Sequence, residues 1–251
     1  MLPSSITYLT FGHYFDQPVN MLPSSITHLT FGYYFNQQVN MLPKFITHLT
    51  FCGNFNQPVN MLPQQLIHLT FCYYFNQPVN MLPSSITHLT FGWDFNQQVN
   101  MLPQFITHLT FGNDFNQPVN MLPSSITYLT FGNCFKQQTD LSNRIVYLNL
   151  NSNNKYIIDN LPNNIKELEF DEEFNLELNN LPNSIEKIIF NKSSKYNKEL
   201  NCLPNCVEQI QLPKYYNKQI KIFPTKLKKI ICNQNYKHKE DFFNYLIEIY
   251  E

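Results

Sequence analysis

The first 140 residues contain almost no charge. Lys44 and Lys136 stand there against Asp16, Asp94, Asp114 and Asp140, while fifteen of the seventeen lysines and arginines follow residue 140. With a formal net charge of −1, no global field recruits nucleic acid or a membrane surface. Glycine occurs six times, and no glycine-rich phosphate loop is present. No apolar run approaches the ~20 residues of a membrane helix. Met1-Leu2-Pro3-Ser4 has neither the basic start nor the apolar stretch of a signal peptide, so a cytoplasmic protein is expected. The six cysteines are too few and too scattered for a disulfide framework. Cys202 and Cys206 form C-x-x-x-C without the second pair a zinc site needs, so no metal and no cofactor is expected. No serine, histidine and acid recur together, and the chain does not read as an enzyme.

What is present is a twenty-residue unit. Leu22 to Met41 and Leu82 to Met101 differ at two positions of twenty. Units open with Leu-Pro at 2, 22, 42, 62, 82, 102 and 122, and the pattern then decays through starts at Leu141, Leu161, Leu181, Leu203 and Phe223. So short a period marks a stacked solenoid, in which no unit buries its apolar residues alone. Three segments follow: seven regular units over 1–140, five degenerate units over 141–232, and a terminal segment, 233–251.

Within a unit such as 22–41, Leu29 and Phe31 alternate with Thr30, which is strand periodicity. The β-branched Thr27 and Thr30 suit a pleated strand. Pro23 lies away from the ladder, and Pro18, Pro58, Pro78 and Pro118 block a helix on the return path, which is expected to be extended. The fold class is therefore a solenoid: a leucine-rich-repeat-like stack of about twelve coils with one parallel β-sheet. Two phenylalanine columns, headed by Phe11 and Phe15, form aromatic ladders inside it. Asparagine columns headed by Asn36 and Asn20 are expected to be buried and to satisfy backbone groups at the turns. Cys52 and Cys72 share a repeat position where other units carry glycine, and read as small core-lining residues.

The units resemble FNIP repeats. The signature tetrapeptide appears as Phe55-Asn56-Gln57-Pro58, Phe75-Asn76-Gln77-Pro78 and Phe115-Asn116-Gln117-Pro118, after the upstream L-P-x-x-I-T-x-L-T-F. The isoleucine of the signature is glutamine here, and its proline is glutamine at 38, 98 and 138. The family is similar to leucine-rich repeats and occurs in social amoebae and in giant viruses of amoebae. The resemblance implies a protein-interaction array, in the host cytosol if the chain is viral. Some relatives carry F-box or kinase domains, for which this sequence has no matching residues.

One ionisable group repeats. His28, His48, His68, His88 and His108 hold one strand position, with Tyr8 before them and Tyr128 after. Beside them run Thr30, Thr50, Thr70, Thr90 and Thr110. Strand alternation puts both rows on the face opposite the core, the concave face of a leucine-rich-repeat-like coil. These twelve residues are the candidate partner-binding set, and recent duplication alone is the competing explanation of the histidine row. The eight lysines from Lys214 to Lys239 read as a solvated surface rather than a nucleic-acid site. The expected function is a non-enzymatic scaffold for a protein partner. Alternatives are a structural protein that self-associates through its N-terminal coil, and an adaptor recruiting a ubiquitin ligase in trans. Asp241 to Glu251 shows helical spacing at Phe242, Leu246 and Ile249, which predicts a capping helix.

Overall fold

A Leu-Pro turn, a short strand, a bend and an extended return make up the regular coil of the computed structural model, which describes residues 2–251. Two compact units divide the chain, one ending at Ile126 and the other running from Thr127 to Glu251. In the first, β1 (Tyr8–Thr10), β2 (His28–Phe31), β3 (His48–Phe51), β4 (His68–Phe71), β5 (His88–Thr90) and β6 (His108–Thr110) follow one another as parallel neighbours. The second holds β7 (Tyr128–Phe131), β8 (Tyr147–Leu150), β9 (Glu167–Phe170), β10 (Lys187–Phe190), β11 (Gln209–Gln211), β12 (Lys229–Asn233) and β13 (Leu246–Tyr250), again parallel and in chain order. Register is residue on residue: His28 faces His48, Leu29 faces Leu49 and Phe31 faces Phe51.

Local chemistry sets the strand entry. The Ile26 N–H donates to Pro23 O at 3.3 Å, closing a turn in which proline's missing N–H is not needed. The N–H groups of Thr27 and His28 then both donate to Thr7 O, at 2.9 and 3.0 Å. Two donors on one acceptor make a bulge, which recurs down the first unit and again in the second, where Lys166 and Glu167 share Val146 O. Regular pairing therefore begins at the histidine, and Leu29 and Phe31 point inward. Ile26, Leu29, Phe31, Phe35 and Val39 are each at most 1% exposed.

After the strand, Phe35 N–H donates to Gly32 O and folds the second phenylalanine onto the first, with centroids 3.8 Å apart for Phe31 and Phe35. Each ring also stacks on its copy in the next coil, at 5.3 Å for Phe31–Phe51 and 6.0 Å for Phe35–Phe55. Gly32 is required by coil spacing, because a Cβ there would lie 2.0 Å from Gly12 O. At Cys72 the ladder runs on instead, its N–H donating to Phe51 O at 2.8 Å. Cys52 and Cys72 are half-buried free thiols, and burial pushes Cys72 up to about 12.

The asparagine column satisfies backbone groups, as expected, but it is not buried. Asn56 N–H donates to Asn36 Oδ1 at 3.0 Å, and Gln57 Nε2 donates to the same oxygen at 3.1 Å. The pattern repeats through Asn56, Asn76 and Asn96. Asn36 is exposed and its copies half-exposed, while the second column, from Asn20 to Asn120, lies exposed in turns. The amides close the bend at its outer rim, where the phenylalanines already fill the interior.

Two further expectations are corrected. The terminal segment is not a capping helix: a single 3₁₀ turn, Lys239–Phe242, leads into β13, which pairs with β12 over five residues. Of the predicted helical face, Phe242 is buried but Leu246 and Ile249 are 62% and 58% exposed. A strand here occupies the backbone groups that β12 would otherwise leave unpaired, which a helix could not do. Tyr250 fastens it, its hydroxyl donating to Leu212 O at 2.7 Å. In the opposite sense, the return after β8 contains a helix, α1 (Lys155–Asp159). Asn154 caps it by accepting from Ile157 N–H at 3.2 Å, and no proline blocks this return. Ile157 and Ile158 are buried beneath it.

The first coil is the least covered. Leu2 is 43% exposed and Tyr8 69%, and Phe11 and Phe15 are half-buried where their copies are closed off.

Candidate interaction face

Register places the five histidines in one column, and their side chains stack. Ring centroids are 4.1 Å apart for His28–His48, 4.3 Å for His48–His68, and 4.1 Å for both His68–His88 and His88–His108. Tyr8 continues the stack at 4.1 Å from His28. All five imidazoles are half-buried by one another, and the threonines from Thr30 to Thr110 line the next row at similar exposure. Tyr128 lies in the second unit, where it packs against Tyr147 at 5.5 Å. The sequence thus locates the column, and the structure adds that it is a continuous pile of rings.

The preceding threonines fix these rings. Oγ1 of Thr27, Thr47, Thr87 and Thr107 lies 2.8–2.9 Å from Nδ1 of the following histidine. The hydroxyls of Thr27 and Thr47 also donate to the carbonyls of Thr7 and Thr27, each at 3.2 Å. A hydroxyl has one hydrogen, so committing it to the carbonyl makes Nδ1–H the donor to Oγ1. Nε2 is then left as an acceptor on the exposed edge of the ring. His68 departs from this, because Ile67 replaces the threonine before it.

Protonation is disfavoured from His48 to His108. Burial, then the neighbouring imidazoles, hold His48, His68 and His88 below the ordinary histidine range, and His108 is lowered in the same way. From His48 to His108 the face of the first unit is therefore a stripe of neutral ring edges and hydroxyls.

The corresponding face of the second unit is charged and internally paired. Lys187 bridges to Glu167, Lys229 to Glu248 at 2.6 Å, and Tyr147 donates its hydroxyl to Glu169 at 2.5 Å. Within the lysine-rich stretch, Lys228 pairs with Glu208 at 2.8 Å, and Lys239 donates to Gln234 O. Among the described residues, no group of three or more histidine, cysteine or acidic side chains could hold a metal ion. None of the described helices is long and apolar enough to cross a membrane.

A second exposed surface was not singled out from the sequence. The bend after each strand carries His13, Tyr14, Tyr33, Tyr34, Tyr73, Tyr74 and Trp93. Tyr14 and Tyr34 stack at 5.4 Å, and Tyr73 and Trp93 are 52% and 53% exposed. The signal that could have found them is divergence between copies, at the positions the repeat leaves free.

Comparison with known proteins agrees with this architecture. The FNIP Repeat family matches residues 1–34, 18–40, 35–74, 75–100, 98–134 and 153–193. The crystal structure of CroV588, described as a novel circular LRR protein and coming from a giant virus, is similar, with a TM-score of 0.71 and 37% identity over 99% of this chain. The chain spans 44% of that protein's length. Comparison with curated proteins gave no match.

Proposed function

Because the chain belongs to the FNIP repeat family, with a leucine-rich-repeat-like scaffold, we propose that it is a non-enzymatic cytoplasmic interaction scaffold. Its partner is a protein seated on the sheet face of the first unit, against Tyr8, the five histidines and the flanking threonines.

The stacked imidazole column carries this reading. Five stacked rings, each 4.1–4.3 Å from its neighbour, present a rigid row beside threonine hydroxyls, which both donate and accept, and at His28 and His48 the hydroxyl's own bond leaves Nε2 as an acceptor. Such a row is already ordered before binding, so little entropy is lost when a partner's donors engage it. The second unit's face, by contrast, spends its polar groups on its own ion pairs.

The test replaces His48, His68 and His88 together with Gln, and separately with Asp. Partners captured from a cytosolic extract by wild type and variants are compared by quantitative mass spectrometry. At least one partner retained by wild type should be lost from the Asp variant and weakened with Gln. Unchanged recovery by folded variants would reject the stripe as the contact surface, leaving duplication to explain it. A second reading, self-association through β1, has the exposed Leu2 and Tyr8 in its favour. Light scattering across a concentration series separates the two.

A further inference from the structure

The copies that begin at Leu2, Leu22, Leu42, Leu62, Leu82 and Leu102 share their Leu-Pro, Leu-Thr-Phe, second Phe and Val-Asn-Met residues without change. The two residues before the second Phe do the opposite. They read His-Tyr, Tyr-Tyr, Gly-Asn, Tyr-Tyr, Trp-Asp and Asn-Asp in successive copies. These positions are nonetheless in a regular row, because the backbone is laddered there too. Asn54 N–H donates to Tyr33 O at 2.7 Å, Asp94 to Tyr73 O at 2.9 Å and Asp114 to Trp93 O at 2.9 Å.

The aromatic members form a connected surface. His13 stacks on Tyr33 at 5.2 Å. Tyr33 then reaches across the third coil to Tyr73 at 6.2 Å, and its hydroxyl donates to that of Tyr74 at 3.4 Å. It can do so because the third coil carries Gly53, with φ +47°, where a Cβ would lie 2.6 Å from the Tyr33 ring. Beyond it lies an open groove of about 320 Å³, lined by Thr70, Tyr73, Thr90, Gly92 and Trp93 among others. A bend with no task in this chain would be served by the small polar residues found in its other turns. Large rings, half-exposed and contiguous, mark a contact surface instead.

Charge says what the surface lacks. In the first unit the only cation is Lys44, which already lies over the Phe45 ring at 4.7 Å. Of its three acids, Asp16 accepts from Asn36 N–H and Gln37. Asp94 follows Trp93 directly, and Asp114 occupies the same position one coil on. Neither carboxylate has a partner among the described residues. Two unpaired like charges about 4.8 Å apart in backbone spacing, next to an exposed indole, are complementary to one planar cation. A guanidinium stacks on an aromatic face and offers paired donors to carboxylates, which an ammonium does not.

We propose that the Tyr73–Trp93 groove, together with Asp94, which follows Trp93, and Asp114, whose N–H donates to Trp93 O, binds an arginine side chain carried by an extended segment of a partner protein. This site stands on its own residues and does not require the histidine stripe to be a contact surface.

Trp93 is the only tryptophan in the chain, so its fluorescence reports on this site alone. The full-length protein is titrated with hexa-arginine amide, with hexalysine and hexaglutamate as comparators. The expected result is a saturable change in Trp93 emission with hexa-arginine, several-fold weaker with hexalysine and absent with hexaglutamate. Asp94→Asn combined with Asp114→Asn should weaken the arginine response about tenfold, and Tyr73→Ala should weaken it too. The His48, His68 and His88 triple Gln variant should respond as wild type, which keeps this result separate from that of the stripe. All substituted residues here are half-exposed or exposed, and the urea midpoint verifies that each variant is folded. No response to hexa-arginine, a response unchanged by the double Asn substitution, or an equal response to hexalysine would overturn the proposal.

Discussion

In the unit ending at Ile126, a residue meets a copy of itself one coil away. In the unit from Thr127 onward it usually meets something different. Phe31 lies on Phe51 and His48 on His68, whereas Lys187 lies on Glu167 and Lys166 pairs with Glu186. The scarcity of charge before residue 140 follows from this difference. A charge placed in a perfectly repeated strand would face an identical charge about 4.8 Å away. Two such charges repel by roughly 3 kcal/mol at an effective dielectric of about 20, less where water and salt screen them. Exact repetition therefore admits residues that tolerate their own copy: phenylalanine, threonine, asparagine and neutral histidine. Divergence removes the restriction, and opposite charges then fill adjacent positions. The scarcity of charge and the fidelity of the repeat are one fact.

The core should not know this difference, and the largest effect tests that. Phe71 and Phe190 are both fully buried and stacked on both sides of the coil plane or within it. Truncating either to alanine should cost about 3–5 kcal/mol, read as a fall in the urea midpoint. A much smaller loss at Phe190 would mean that the second unit is held mainly by its surface pairs.

Acid should separate the units next. His48, His68, His88 and His108 have depressed values in the folded state, so the unfolded chain binds more protons as pH falls. Their contribution is whole above the unfolded value of about 6.5 and declines as pH drops through the window below it. Hydrogen exchange at pH 7.5 and 5.5, corrected for intrinsic rates, should show loss of protection in β2–β6 larger than in β8–β11. The triple Gln variant of His48, His68 and His88 should lose most of this dependence. Equal loss in both units would show that the stack does not resist protonation.

The smallest effect belongs to the charged face. Lys187→Gln removes one half-exposed pair and should cost about 0.2–1 kcal/mol, a difference that shrinks in high salt. A salt-independent loss above that range would promote these pairs from surface decoration to a structural device.

Periodicity made most of the fold legible: strand position, inward columns and the histidine row all follow from residues recurring every twenty. It failed where copies end or differ. Phe242, Leu246 and Ile249 satisfy helical spacing, yet Leu246–Tyr250 also alternates as a strand, and one segment read alone cannot choose. The unpaired edge of β12 chose. α1 is not legible in the sequence, because a loss of proline is a weaker signal than its presence. The bend aromatics are not legible from periodicity, because they stand at the positions that differ from copy to copy.

The sequence by itself determined the coil: its length, its strand, which side chains turn inward, and which residues must lie beside their own copies. These are local and periodic properties, and twenty residues suffice to state them. Tertiary structure alone decided that the imidazoles touch, that a threonine hydroxyl commits its hydrogen to the preceding coil's carbonyl, that Tyr33 crosses Gly53, and that the last segment is a strand. Each of these depends on the distance between atoms twenty or more residues apart, and that distance exists only once the coils have stacked.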